Sequence, residues 1–184
     1  MCPGECQGVA RRRVTRGTYN EQMLVLRYAY VLALVVWLGG MVLLGAVVAP
    51  TTFQVLQASA PEQGRALAGE LFGTMLARFH YVAYAAGAIL LVALAAMAVL
   101  GPRPAQFAVR SAIVGVMLLV ALYSGEIVLR QVDALQQEVG ALPSTLPAGD
   151  PQRVRFDALH QLSTRLMMFN IAAALVLLYW EARE

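Results

Sequence analysis

Two histidines and a glutamate stand where an apolar chain accommodates them least easily. His80, Glu126 and His160 each lie at or just inside the end of a long apolar run, and Ser163 follows His160 by one helical turn. Two imidazoles and a carboxylate form a donor set for a transition metal, with Met75, Met167 and Met168 adding thioethers suited to copper. Paired histidines could alternatively hold a haem. The plainer account gives the histidines hydrogen bonds between helices and makes Glu126 the i,i+4 partner of Arg130. No fixed ligand spacing selects among these. An acid at that depth is costly unless it faces a partner or water, which keeps Glu126 a functional candidate. Asn170, deeper in its run, suits hydrogen bonding between helices.

The elements that must position these groups are four apolar segments, at about 26–50, 79–100, 108–130 and 159–181. Each has roughly the 20 residues needed to cross a bilayer's hydrocarbon core. The fold class expected is all-α, a four-transmembrane-helix antiparallel bundle. In that arrangement the ends of the first and third spans share a membrane face with the starts of the second and fourth. The shared face collects His80, Glu126, His160 and Ser163 as a candidate vestibule, with Arg78, Arg130 and Arg165 as rim or charge partners. Thr51 and Thr52 join it, while Arg27, Arg103 and Arg110 mark the opposite face.

Composition supports a membrane setting. Hydrophobic residues make up 59% of the 184-residue chain and charged residues 14%, against about 25% charged in soluble domains. A soluble fold this apolar would expose large aggregating patches. The lipid bilayer is therefore the first partner expected. All fourteen basic residues are arginine. Arg11, Arg12, Arg13 and Arg16 precede the first span, and beside a transmembrane helix such a run is read as a topology signal, not a nucleic-acid site. With the N-terminus inside, eight arginines fall on the cytoplasmic side and six on the other. The expectation is a multi-pass protein of the cell inner membrane with both termini cytoplasmic. Residues 1–22 are expected to be a disordered basic tail and 23–184 the membrane domain, with translation from Met23 an alternative start. Cys2 and Cys6 are too few to complete a structural zinc site.

Helical extensions are expected on the vestibule face alone. Ser59 and Glu62 fit a capping box with Pro61 in the first turn, and Leu67, Leu71, Met75 and Phe79 recur at helical spacing into the second span. Asp150 and Pro151 open the fourth helix in the same way. Residues 130–142 continue the third span amphipathically, and 143–151 form a turn-rich loop. Small residues four apart (Gly45 and Ala49, Ala83 and Gly87, Ser111 and Gly115, Ala121 and Gly125) allow close helix approach. There is no phosphate loop, HExxH, dinucleotide fingerprint or nucleophile elbow.

The segment Trp37-Leu-Gly-Gly40, followed by Ala49-Pro50 and Phe53, resembles the TMEM205-like family, whose domain is DUF4149. Leu71-Phe72, Phe79-His80, and Leu159-His160 through Ser163 to Asn170 are similar to it as well. The resemblance covers roughly 24–180 and implies a four-helix integral membrane protein of largely undefined activity. The function expected is non-enzymatic handling or transport of a small solute or metal ion through the polar vestibule. The alternatives are a haem- or copper-binding membrane redox protein, or a structural subunit with a homo-oligomeric or membrane-protein partner.

Overall fold

The computed structural model describes the backbone of residues 3–61, 63–101, 106–139, 143, 146–147 and 149–183, with side chains from residue 21 onward in those ranges. The side chains of Cys2, Cys6 and the basic run lie outside the described residues, as do Glu62 and Arg103. Helix α1 (Pro3–Leu43) passes through a π-helical turn, Leu44–Val48, into α2 (Ala49–Ser59). Helix α3 (Gly64–Leu100) returns. Helix α4 (Phe107–Tyr123) then passes through a second π-turn, Ser124–Val128, into α5 (Leu129–Val139), and α6 (Pro151–Ala182) closes the bundle.

Among the described residues, four continuous helices are long and apolar enough to cross a membrane, of 39, 37, 33 and 32 residues. A bilayer needs about 20, so each overshoots the hydrocarbon. The protein is an all-α, four-helix membrane bundle. Its inner seam follows the 3.6-residue period. Tyr30, Ala33, Leu34, Trp37 and Met41 of α1 meet Ala83, Ala86, Leu90, Leu94 and Met97 of α3. Val114, Met117 and Ala121 of α4 and Ala174 and Leu177 of α6 complete the core. Apolar residues such as Val92, Val99 and Leu119 cover the outside, where lipid is the solvent.

The first hairpin departs from expectation. The helix does not stop at Pro50, and Ser59 belongs to it instead of capping its successor. The Ser59 hydroxyl donates to the Val55 carbonyl one turn back, at 2.9 Å, and the next helix starts at Gly64. Proline in a helix interior lacks a donor and crowds the preceding turn. Here Pro50 sits in the first turn of α2, directly after the π-turn. Ala49 N–H donates five residues back to the Leu44 carbonyl, and this wider turn takes up the register change at the proline. The fourth helix begins as its sequence indicates, with Asp150 Oδ1 accepting from Gln152 N–H at 2.8 Å.

The two hairpins repeat one plan. Each runs from a long helix through a five-residue π-turn into an eleven-residue extension, then returns on a helix carrying one histidine. Glycine is the second residue of both π-turns, at Gly45 and Gly125. Small residues serve close approach unevenly. A Cβ on Gly87 would lie 2.8 Å from Leu118 Cδ1 and 3.1 Å from Trp37 Cζ3. On Gly115 it would meet nothing within 4 Å, so the Ser111–Gly115 pair is not a packing contact. Gly40, outside those pairs, makes room for the Phe79 ring, with its Cβ position 2.7 Å from Phe79 Cζ.

At the other end of the bundle, Glu181 of α6 holds α1 and α4. Arg110 Nη1 donates to Glu181 Oε2 at 3.1 Å, Arg27 Nε donates to Oε1, and Arg27 Nη2 reaches the Glu181 carbonyl at 3.2 Å. Arg110 and Glu181 are 3% and 8% exposed and Arg27 45%, so two arginines that read as topology charges join one ion cluster, with the Arg110–Glu181 pair buried. Replacing one partner of such a cluster leaves an uncompensated charge.

Two substitutions test this packing. Gly87→Leu is expected to destabilise the detergent-solubilised protein by about 1–3 kcal/mol through overpacking, while Gly115→Ala leaves its melting temperature unchanged or raised. Glu181→Ala is expected to cost about 3 kcal/mol, and a melting temperature within a degree of the parent would show the cluster to be dispensable.

Candidate functional site

A cavity of about 270 Å³ opens between the four helices at the π-turn end of the core. Helix α1 supplies Trp37 and Met41 one turn apart, and its π-turn supplies Leu44 and Gly45. Helix α3 adds Phe72, Leu76, Phe79, His80 and Ala83, while Ala121 and Ser124 come from α4 and its π-turn. Helix α6 presents one face, with His160, Ser163, Thr164, Met167 and Asn170 at spacings of three and four. Both π-turns therefore form part of the cavity wall. Single π-turns inside α-helices frequently sit at functional sites.

The ring nitrogens of His80 are differentiated. Nδ1 lies 2.8 Å from the Leu76 carbonyl; a carbonyl only accepts, so Nδ1 carries a proton. Gly125 fixes the ring's position. A Cβ there would collide with the Tyr84 hydroxyl and lie 2.6 Å from His80 Cδ2. Tyr84 packs against His80 with ring centroids 6.1 Å apart. His160 is stacked on Phe156, with centroids 6.4 Å apart and planes 10° from parallel. Asn170 is 4% exposed, and its Oδ1 has no hydrogen-bond partner among the described residues.

A second, outer chamber of about 840 Å³ lies among the helical extensions. It shares Ala49, Phe72, Leu76, His160 and Ser163 with the inner cavity, so His160 and Ser163 stand at the junction. Its walls carry Arg65, Glu70, Asp133, Arg153 and Asp157, whereas among the described residues lining the inner cavity there is no Asp, Glu or Arg.

The structure thus brings His80, His160, Ser163 and Asn170 to one cavity and leaves other expected members apart. Glu126 is part-exposed and pairs with Arg130 one turn on, lining neither chamber. That exposed pair is worth only about 0.3–0.5 kcal/mol. Arg78 and Arg165 are exposed and outside both linings. Among the described residues no three His, Cys, Asp or Glu side chains come together as a metal group. Met75 and Met168 lie on the exterior, and the thioethers facing the cavity are Met41 and Met167. Met41 was legible from its four-residue spacing to Trp37. Nothing in the sequence marks Ser124, which the π-turn brings to the wall.

Fold and site together define a four-helix integral membrane protein with a two-chambered cavity at one end. Residues 32–141, more than half of the chain, match the family described as Domain of unknown function (DUF4149), and the chain belongs to that family. No curated protein and no solved structure matches it.

The two π-turn glycines are expected to differ. Gly125→Ala should destabilise by about 1–3 kcal/mol, outweighing a helix-propensity gain of about 1 kcal/mol, and should shift the His80 ring resonances. Gly45→Ala meets only the flexible end of Met167, at 3.2 Å from Cε, and should be tolerated. Equal stability and unmoved ring resonances in both variants would contradict the assignment of Gly125 as the support of His80.

Proposed function

We propose that the protein takes up a small solute into the inner cavity from the π-turn side of the membrane. The reading is that of a non-enzymatic, TMEM205-like protein of the inner membrane. Both termini are cytoplasmic and the chambers open outward, as the arginine distribution favours. The observation that carries this reading is the succession of two connected chambers. A charged outer one shares His160 and Ser163 with an apolar-walled inner one whose lining includes Asn170. Ligand sites are typically concave and mostly apolar, with a few placed polar groups.

A metal form of the same reading has one observation in its favour. His80, His160, Met41 and Met167 line a single cavity, and imidazole with thioether is a donor set suited to cuprous copper. A haem form is not supported by size. The inner cavity is about 270 Å³, less than twice the roughly 150 Å³ of an engineered cavity that holds benzene, and a tetrapyrrole does not fit.

The test is accessibility from one side. In a Cys2→Ser, Cys6→Ser background, Ser163→Cys is expected to react with a small membrane-impermeant methanethiosulfonate applied to intact cells, whereas Leu94→Cys in the core does not. An unreactive Ser163→Cys that becomes reactive only in inverted vesicles would reverse the orientation. One unreactive in both would remove the vestibule.

A further inference from the structure

We propose that the two chambers together hold one molecule, a single-chain zwitterionic amphiphile whose ammonium lies next to its alkyl chain and whose anionic group lies outermost. The proposal rests on the vestibule reading and names its ligand.

Size and polarity divide the space. Ala49, Phe72, Leu76, His160 and Ser163 line both chambers, so one molecule can lie across their boundary. There is no Asp, Glu or Arg among the described residues lining the inner cavity, and an ionic group there would lose its hydration without gaining a counter-charge. An alkyl chain has no such cost. An engineered cavity of roughly 150 Å³ holds the six carbons of benzene, so the inner volume of about 270 Å³ accommodates one chain of about eight to ten carbons and not the two chains of a membrane lipid.

The order of charges outward from that boundary specifies the head. Glu70 lies six residues outward of Leu76 on α3, and Asp157 six residues outward of Ser163 on α6, each about 9 Å at 1.5 Å per residue. On α5, which runs outward, Asp133 shares the chamber-lining stripe with Leu129, Val132 and Gln136, at the three- and four-residue spacings of one helix face. The arginines stand farther out. Arg65 is five residues beyond Glu70, and Arg153 is four beyond Asp157. Acids therefore form the layer nearer the apolar cavity and arginines the outer layer. Arg153 is already engaged, with the Leu146 carbonyl at 2.6 Å and Asp157 at 3.9 Å. Glu70, Asp133 and Arg65 make no side-chain ion pair among the described residues. Phe53, Phe72 and Phe156 line the same chamber, and aromatic surface suits a quaternary ammonium. A cation beside the chain and an anion beyond it match this order. A phosphocholine head has the reverse order, with phosphate next to the chain.

The experiment uses the full chain in lipid nanodiscs with ¹³C-methyl-labelled methionine. Met41 and Met167 report an inserted chain, and the exterior Met75 and Met168 report non-specific partitioning. Three probes with one octyl chain are titrated at matched membrane-phase concentrations: a sulfobetaine (ammonium inside, sulfonate outside), a phosphocholine and a trimethylammonium. The expected result is saturable movement of the Met41 and Met167 methyls by the sulfobetaine at about tenfold lower concentration than by the phosphocholine. The trimethylammonium falls between them, and Met75 and Met168 are unmoved. A Glu70→Gln, Asp133→Asn double variant is expected to bring the sulfobetaine to the level of the phosphocholine, and Arg65→Gln to bring it to that of the trimethylammonium. A phosphocholine as potent as the sulfobetaine on the parent protein, or more potent, would overturn the charge order while leaving a solute cavity in place. Movement of all four methyls together, or of none, with every probe would overturn the cavity reading as well.

Discussion

In hydrocarbon no water is present to satisfy a backbone N–H or C=O, so every such group must find its partner inside the protein. This constraint makes the described chain almost wholly helical, and it also limits where the helices can be irregular. The two π-turns, Leu44–Val48 and Ser124–Val128, keep their backbone bonded five residues back, with Ala49 donating to Leu44 and Leu129 to Ser124. A π-turn widens the helix without leaving an orphaned group. Both contribute to the cavity wall, one through Leu44 and Gly45 and the other through Ser124. Glycine at 125 lets α3 approach with His80 and Tyr84, whereas Gly45 meets only the flexible end of Met167.

The bundle is asymmetric along its axis for a related reason. At the Arg27–Glu181–Arg110 end, charges from three helices meet over a short span and draw α1, α4 and α6 together. At the π-turn end no described ion pair joins different spans: Glu126 pairs with Arg130 and Arg153 with Asp157, each within its own helix. Helices held at one end and propped by side chains at the other leave space where they are not held. The inner cavity and the outer chamber occupy that space. Two hairpins of the same plan, each with its histidine-bearing return helix, place His80 and His160 around it.

The four spans, their common face and the projecting extensions were legible because hydropathy and helical period are properties of local sequence. His80, His160 and Ser163 could be assigned to one end because antiparallel packing fixes which helix ends meet. Glu126, expected in the vestibule, lines neither chamber. It lies inside a π-turn, and one extra residue per turn rotates the following side chains by about 100° relative to a regular helix. The partner of Arg110 was equally hidden, since Glu181 lies 71 residues away and arginine near a span end reads first as a topology signal. Asn170 was visible as a polar residue at depth. That it lines a cavity, instead of bridging helices, depends on the rotation of α6, which periodicity alone does not fix.

The central claim is that the face of α6 bearing Ser163, Met167 and Asn170 looks into the inner cavity and not into lipid. Adjacent residues on that helix give the sharpest comparison. Nitroxide labels at Met167 and Met168, in nanodiscs, sit at nearly the same depth and differ in direction, since Met167 lines the cavity and Met168 is 57% exposed on the outside. Power-saturation measurements are expected to show the Met167 label relaxed preferentially by a water-soluble nickel complex and the Met168 label by oxygen, which concentrates in lipid. Oxygen-dominated relaxation at both positions would place Met167 against lipid and contradict the account.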